Sequence, residues 1–285
     1  MDASEFLGLR ATTDPLRWRL EVVPGVCTDG LFLFGGCGLG AAIEALERAT
    51  DRPAVWAAAQ YLSYARPPEL LDIEVTIAVA GHQTTQARAV GRVGDREILT
   101  VNAALGRRDA AWAGQWIEMP DVAPPEACPP RSHISTVDDS VAKRLEMRLA
   151  VGRDFSAFDG TRTDGHAALW AHVPDVLEMS AATLAILSDY VPFGVGQTLG
   201  EFVTGSSLDN TVRVCSLVAT DWVLIDVQVH AVTNGFGHGR VNLWAQDGTL
   251  LATAGQSCAL RAWSDSRVGA LGTVQDESPR RTPGV

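Results

Sequence analysis

Asp189, Ser207 and Gln256 stand in the contexts ILSDYV, SSLDN and AGQSC: a carboxylate, a hydroxyl and a carboxamide in three separate segments of the second half of the chain. Groups of these types can jointly hold a water, the carboxylate taking its proton while the hydroxyl and amide complete its hydrogen bonds. Desolvation beside Leu187 and Val191 would make Asp189 more basic. Taken singly, each has an ordinary role: an acid at a helix terminus three residues before Pro192, a serine capping a turn, a glutamine facing solvent from a strand. Five cysteines, Cys27, Cys37, Cys128, Cys215 and Cys258, are odd in number and show no metal-ligand spacing, so they are expected to be reduced and buried. Cys37 lies near a helix start, where a thiolate would be stabilised, but a small side chain packed among glycines is the commoner reason for such a cysteine. The segment GGCGLG (35–40) lacks the G-x-G-x-x-G spacing, and no βαβ alternation follows it, which excludes a dinucleotide loop. Its glycines are expected to let a helix approach the sheet closely. His166 and His172 are not at metal-binding spacing, and no metal is expected.

The elements that must position these groups are bounded by composition. The chain has 285 residues, 46% of them hydrophobic, enough for one large or two smaller cores. A formal charge of −11 repels phosphate backbones and anionic lipid, so nucleic acid is not an expected partner. No apolar run approaches the roughly 18 to 20 residues that span a bilayer, and MDASEFLGLR is not a leader pattern. A soluble, cytoplasmic protein without stable membrane association is expected.

The two halves resemble each other at an offset of 152 (225 − 73): Ile73 matches Ile225, Val75 Val227, Arg88 Arg240, Asp95 Asp247 and Leu99 Leu251. Holding one register across several strands and turns indicates duplication. In the first half, alternating RWRLEVV predicts a strand, Leu39 to Ala49 a helix, and VWAAAQYLSY, LLDIEVTIAV, TTQARAVGRV and EILTVNAALGR further strands. In the second, LEMRLAV and AALWAHV precede a helix over Ser180 to Ser188, followed by strands around LDNTVRV, WVLIDVQVHAV, HGRVNLWA and LLATAGQSCALRAW. One helix followed by long antiparallel strands predicts a curved sheet wrapped around the helix, an α+β plan. The expected boundaries are a first domain over 1–115, a proline-rich linker over 116–144, a second domain over 145–263, and a disordered polar tail over 264–285.

FLFGGCGLGAA and QYLSYARPPELLDIEV in the first half, with ILSDYVP, SSLDNTV, DWVLIDV and QDGTLLATAGQ in the second, resemble the type II acyl-CoA thioesterases over roughly Leu31 to Arg261. The resemblance implies a double hot-dog fold, two helix-in-sheet units side by side. It also implies that Asp189, Ser207 and Gln256 bind and activate the water that hydrolyses fatty acyl-CoA to free acid and CoA. The offset places Cys37, Val55 and Ala104 opposite them, so one active site per chain, made by the second repeat, is expected. Gly36, Cys37, Arg66 and Arg240 are candidates for substrate contact, and Trp170, Tyr190 and Phe193 for the acyl tunnel. No cofactor is implied. Three departures stand out: Asn210 follows SSLD where the family has His, Cys215-Ser216-Leu217 stands where the family has an HRP motif, and Gly235 or Phe236 takes the place of the Arg that precedes Gly-Phe on the next strand. They keep open an alternative, a catalytically weak acyl-CoA or lipid-binding protein. A hydratase would want a His near Asp189, and SDYVPFGVG has none. Association into a homodimer or larger homo-oligomer is expected, because an outer strand leaves backbone groups unpaired.

Overall fold

The structure, a computed structural model, describes residues 1–132, 138–172 and 178–262. The tail expected from residue 264 lies outside the described residues. The first half contains α1 (Ala3–Leu7), β1 (Leu9–Ala11), β2 (Arg17–Glu21), α2 (Gly35–Thr50), β3 (Ala54–Tyr61), β4 (Leu70–Ala80), β5 (Thr84–Val93) and β6 (Arg96–Gly106). The second contains α3 (Val141–Arg144), β7 (Glu146–Val151), β8 (His166–His172), α4 (Ala181–Leu187), α5 (Val191–Leu199), β9 (Val203–Val214), β10 (Trp222–Thr233), β11 (Phe236–Ala245) and β12 (Leu250–Ala262). The described strands form one antiparallel sheet ordered β1-β2-β4-β5-β6-β3-β9-β12-β11-β10-β8-β7. Each half thus lays down its strands in one order, and the two halves join edge to edge through β3 and β9. This is the α+β double hot-dog arrangement.

Alternation in the strands builds the core. Leu99, Val101, Ala103 and Leu105 of β6 are buried on one face, against Leu39, Ile43 and Leu46 of α2, all fully buried. The second half departs from the single helix expected over Ser180 to Ser188. Ser180 caps α4, its hydroxyl accepting from the Thr183 amide at 3.1 Å, and the chain turns through Ser188 to Tyr190 before α5 begins. Pro192 sits in the first turn of α5, where its missing N–H removes no helical bond. Gly194 and Gly196 lower the helical propensity of VPFGVGQTL, which hid α5 in the sequence.

The repeat is written into the irregularities of the sheet. One residue bulges between neighbouring strands at Val55, Ala78 and Ile98 in the first half, and at Leu208, His230 and Leu251 in the second. The offset is 152 for one pair (230 − 78) and 153 for the other two (208 − 55 and 251 − 98). The register therefore slips by one residue on β9 and β12. With the shift, Ala58 lies directly opposite its own equivalent, Thr211, across the β3–β9 seam (211 − 58 = 153). A residue facing its own equivalent marks a local two-fold, the geometry of an isologous dimer within one chain.

The proline-rich connection is not a free tether. Cys128, Met119 and Val122 pack with Trp170, Trp244 and Leu224 on the sheet face away from the helices, and the Trp170 indole donates to the Ala123 carbonyl at 2.9 Å. Trp170 belongs to this outer cluster and not to the cleft. Farther along, the Arg131 amide donates to Met147 O at 2.8 Å, extending the sheet edge beside β7. Trp170→Phe, which removes the indole donor and part of the ring, should cost about 1 to 3 kcal/mol in urea unfolding. It should also speed proteolytic cutting of the 115–130 segment.

Candidate active site

Asp189 occupies the turn between α4 and α5, is 5% exposed, and faces the N-terminus of α2 from the other half of the chain. α2 has no side-chain cap of its own and no acid in its first turn. The Gly36 amide instead donates to Asp189 Oδ2 at 2.7 Å, so a carboxylate 153 residues away satisfies an amide the helix leaves open. Glycine at 35 and 36 makes this approach possible. A Cβ on Gly35 would lie 2.6 Å from Asp189 Oδ2, and one on Gly36 2.8 Å from the Ile186 carbonyl of α4. The glycines expected to bring a helix onto the sheet thus bring α2 onto α4, because α2 meets the other repeat's helix at its N-terminal end.

Ser207 and Gln256 converge on the same carboxylate. Gln256, 3% exposed, donates from Nε2 to Asp189 Oδ1 and, at 2.8 Å, to Ser207 Oγ, while its Oε1 accepts from the Val191 amide at 3.1 Å. Ser207 Oγ lies 3.3 Å from Asp189 Oδ1 as a donor. The bulge at Leu208 aims the serine. Asn210 and Val212 face inward, strict alternation would bring Leu208 in next, and the extra residue turns Ser207 inward and leaves Leu208 40% exposed. Desolvation is the largest influence on Asp189 and outweighs the hydrogen bonds from Gly36, Gln256 and Ser207, so its pKa rises to about 6.

The slipped register corrects the expected counterparts. Ser207 and Gln256 correspond to Ala54 and Ala103 (207 − 153 and 256 − 153), not to Val55 and Ala104. Neither alanine can donate or accept through its side chain, so no second constellation of this kind is built from those positions.

Asp189, Ser207, Gly35 and Tyr61 line a cleft of about 500 Å3, together with Tyr190, the N-cap of α5, and Phe193 within α5. Tyr61 was not picked out in the sequence. Its hydroxyl donates to the Gly35 carbonyl at 2.8 Å, and burial first, then the nearby Asp189 charge, holds its phenol well above the ordinary value. The signal was available: positions 57, 59 and 61 share the inward face of β3. Cys37 is fully buried, and desolvation keeps its thiol protonated, so it contacts no cleft surface. Arg66 and Arg240 are exposed and away from the cleft, the first closing a turn with Glu69 and the second standing on β11 opposite Gln228 and Gly255. None of the departures from the family pattern reaches the cleft lining. Asn210 is fully buried behind the Asp189 turn, donating to Ser188 Oγ at 3.2 Å while its Oδ1 has no partner, and Gly235 and Phe236 lie in the β10–β11 hairpin.

Residues 125–260 match the family model of the acyl-CoA thioesterase C-terminal domain. A candidate thioesterase of Novosphingobium aromaticivorans is 30% identical, with 88% of this chain and 98% of that one aligned at a TM-score of 0.79. The chain belongs to the acyl-CoA thioesterase family. The enzyme is an acyl-CoA thioester hydrolase. Acyl-CoA thioesterase II TesB2 of Mycobacterium marinum shares its fold at 21% identity and TM-score 0.72, over 92% of this chain and 99% of that one. The tesB protein of Mycobacterium avium subspecies paratuberculosis does so at 17% and 0.73, over 91% and 98%. A comparison with curated proteins gives no match. Among the described residues no helix is long and apolar enough to cross a membrane, and no cluster of potential ligands could hold a metal ion.

Gly35→Ala should leave a folded hydrolase and lower kcat by about a hundredfold, because the added methyl displaces the Asp189 carboxylate while the distant cores are untouched. Thermal melting beside steady-state kinetics checks both halves of that expectation.

Proposed function

We propose that this thioesterase hydrolyses fatty acyl-CoA to free acid and CoA through a water activated by Asp189, with Ser207 and Gln256 fixing the carboxylate and the water. The observation that carries the proposal is the three-way contact of Asp189, Ser207 and Gln256, the first two lining a cleft walled largely by apolar and aromatic side chains and Gln256 buried behind them. Asp189 takes a proton as the water oxygen attacks the thioester carbon; the tetrahedral oxyanion collapses, the carbon–sulfur bond breaks, and the proton passes to the departing thiolate. The oxyanion faces the N-terminal turn of α2, whose positive dipole end at Gly35 borders the same cleft. A carboxyl of pKa about 6 is mainly ionised at neutral pH and is a stronger base than an ordinary aspartate. Five unpaired cysteines support a reducing, cytoplasmic compartment.

Free CoA release from a panel of acyl-CoAs of graded length, followed with a thiol reagent, tests the reaction. Asp189→Asn and Gln256→Ala should stay folded and lose at least about a hundredfold in kcat. Undiminished turnover in folded Asp189→Asn would sink the mechanism. The pH profile follows from the raised pKa. The active form is the carboxylate, so kcat/KM should be level above neutrality and decline as pH falls through about 6. An ordinary, solvated aspartate would hold activity down to about pH 4.

A further inference from the structure

We propose that Arg131 recognises a carboxylate carried by the acyl group, making acyl-CoAs with an acidic tail the preferred substrates; this rests on acyl-CoA hydrolysis at Asp189. Arg131 lines the same cleft as Asp189, on a backbone fixed by the hydrogen bond its N–H donates to Met147 O at 2.8 Å and by the neighbouring Pro130–Arg148 bridge. Its guanidinium carbon lies 5.0 Å from the ring centre of Phe193, 5.8 Å from that of Tyr190 and 6.0 Å from that of Phe155. Nη1 reaches Met147 Sδ at 3.5 Å. No carboxylate among the described residues pairs with this cation, whereas nearby Arg148 and Arg153 are matched by Glu146 and Asp159. The other acids of the cleft, Asp29 and Glu201, form no ion pair with it either.

An arginine is charged at every accessible pH, and ring faces compensate only part of the hydration it loses in a cleft. Its planar fork matches the two oxygens of a carboxylate. Tyr190, whose ring lies beneath the guanidinium, is the residue after Asp189. An acyl group with its thioester carbon at Asp189 can therefore run along that ring toward Arg131, its methylenes against Phe193. Partly enclosed by aromatic walls, the position suits a single carboxylate at the end of an apolar stem. The bulky, strongly hydrated phosphates of CoA fit it poorly.

The test compares hexanoyl-CoA with adipoyl-CoA and octanoyl-CoA with suberoyl-CoA, pairs that differ by the terminal carboxylate. The parent enzyme should have the higher kcat/KM on the acidic member of each pair. Arg131→Met should lower that value at least about tenfold, chiefly through KM, and leave the neutral member within about twofold. Arg131→Lys, which keeps the charge without the fork, should recover part of the loss. Equal loss on both members in a folded variant would assign Arg131 to folding or to the CoA end common to all four, and overturn the proposal. So would a parent preference for the neutral member. If nothing is hydrolysed, the Asp189 mechanism fails, and calorimetric binding of the same pairs to Asp189→Asn and to Asp189→Asn/Arg131→Met still reads Arg131. Tighter adipoyl-CoA binding that disappears with Arg131→Met supports the proposal, and indifference to the substitution overturns it.

Discussion

The bond from the Gly36 amide to the Asp189 carboxylate joins the halves of the chain at the floor of the cleft, and the surrounding structure is arranged to permit it. A carboxylate buried to 5% exposure is costly unless its oxygens are met by donors. The uncapped start of α2 supplies one donor and a favourable dipole; Ser207 and Gln256 supply the others. The donors do not fully offset burial, which leaves the group ionised near neutrality yet basic enough to take a proton. The same residues thus stabilise the charge and tune its chemistry. Side chains at 35 and 36 would collide with Asp189 and with the α4 backbone, so the sequence must be small where the two helices meet.

Duplication explains why such a contact exists. The β3–β9 seam places Ala58 opposite Thr211 about a local two-fold, and the bulges at Val55, Ala78 and Ile98 recur at Leu208, His230 and Leu251. The backbone device at Leu208 that turns Ser207 inward is present in the first repeat too, where it presents Ala54. Shared backbone and divergent side chains leave the first half supplying the helix terminus, Gly35 and Tyr61, while the second supplies the acid, hydroxyl and amide. Neither half alone builds this cleft, whose lining draws on both.

The connection between the halves has two roles. Its first part covers apolar sheet surface around Trp170 and Trp244, and its later part carries Arg131 to the cleft. A segment whose prolines read as a spacer thereby contributes both to the core and to the walls of the site. Proline composition reports that helix and ladder are forbidden; it does not report what the chain lies against.

Much of this was legible in the chain. Period-two alternation locates β4, β5, β10 and β12 within a residue or two, and the family resemblance marks Asp189, Ser207 and Gln256. The offset of 152 was right for the β4–β10 pair and one residue short for β9 and β12, because loops change length silently between aligned strands. α5 was hidden because proline and two glycines mask its apolar character, and Tyr61 because a single aromatic on an inward face looks like core. Sequence alone determined periodicity, repeat and residue chemistry, which are properties of neighbours along the chain and of matched segments. Only the tertiary structure decided that Gly36 caps onto Asp189, that a bulge aims Ser207, and that Arg131 reaches the cleft while Arg66 and Arg240 do not, because each depends on the packing of segments up to 153 residues apart.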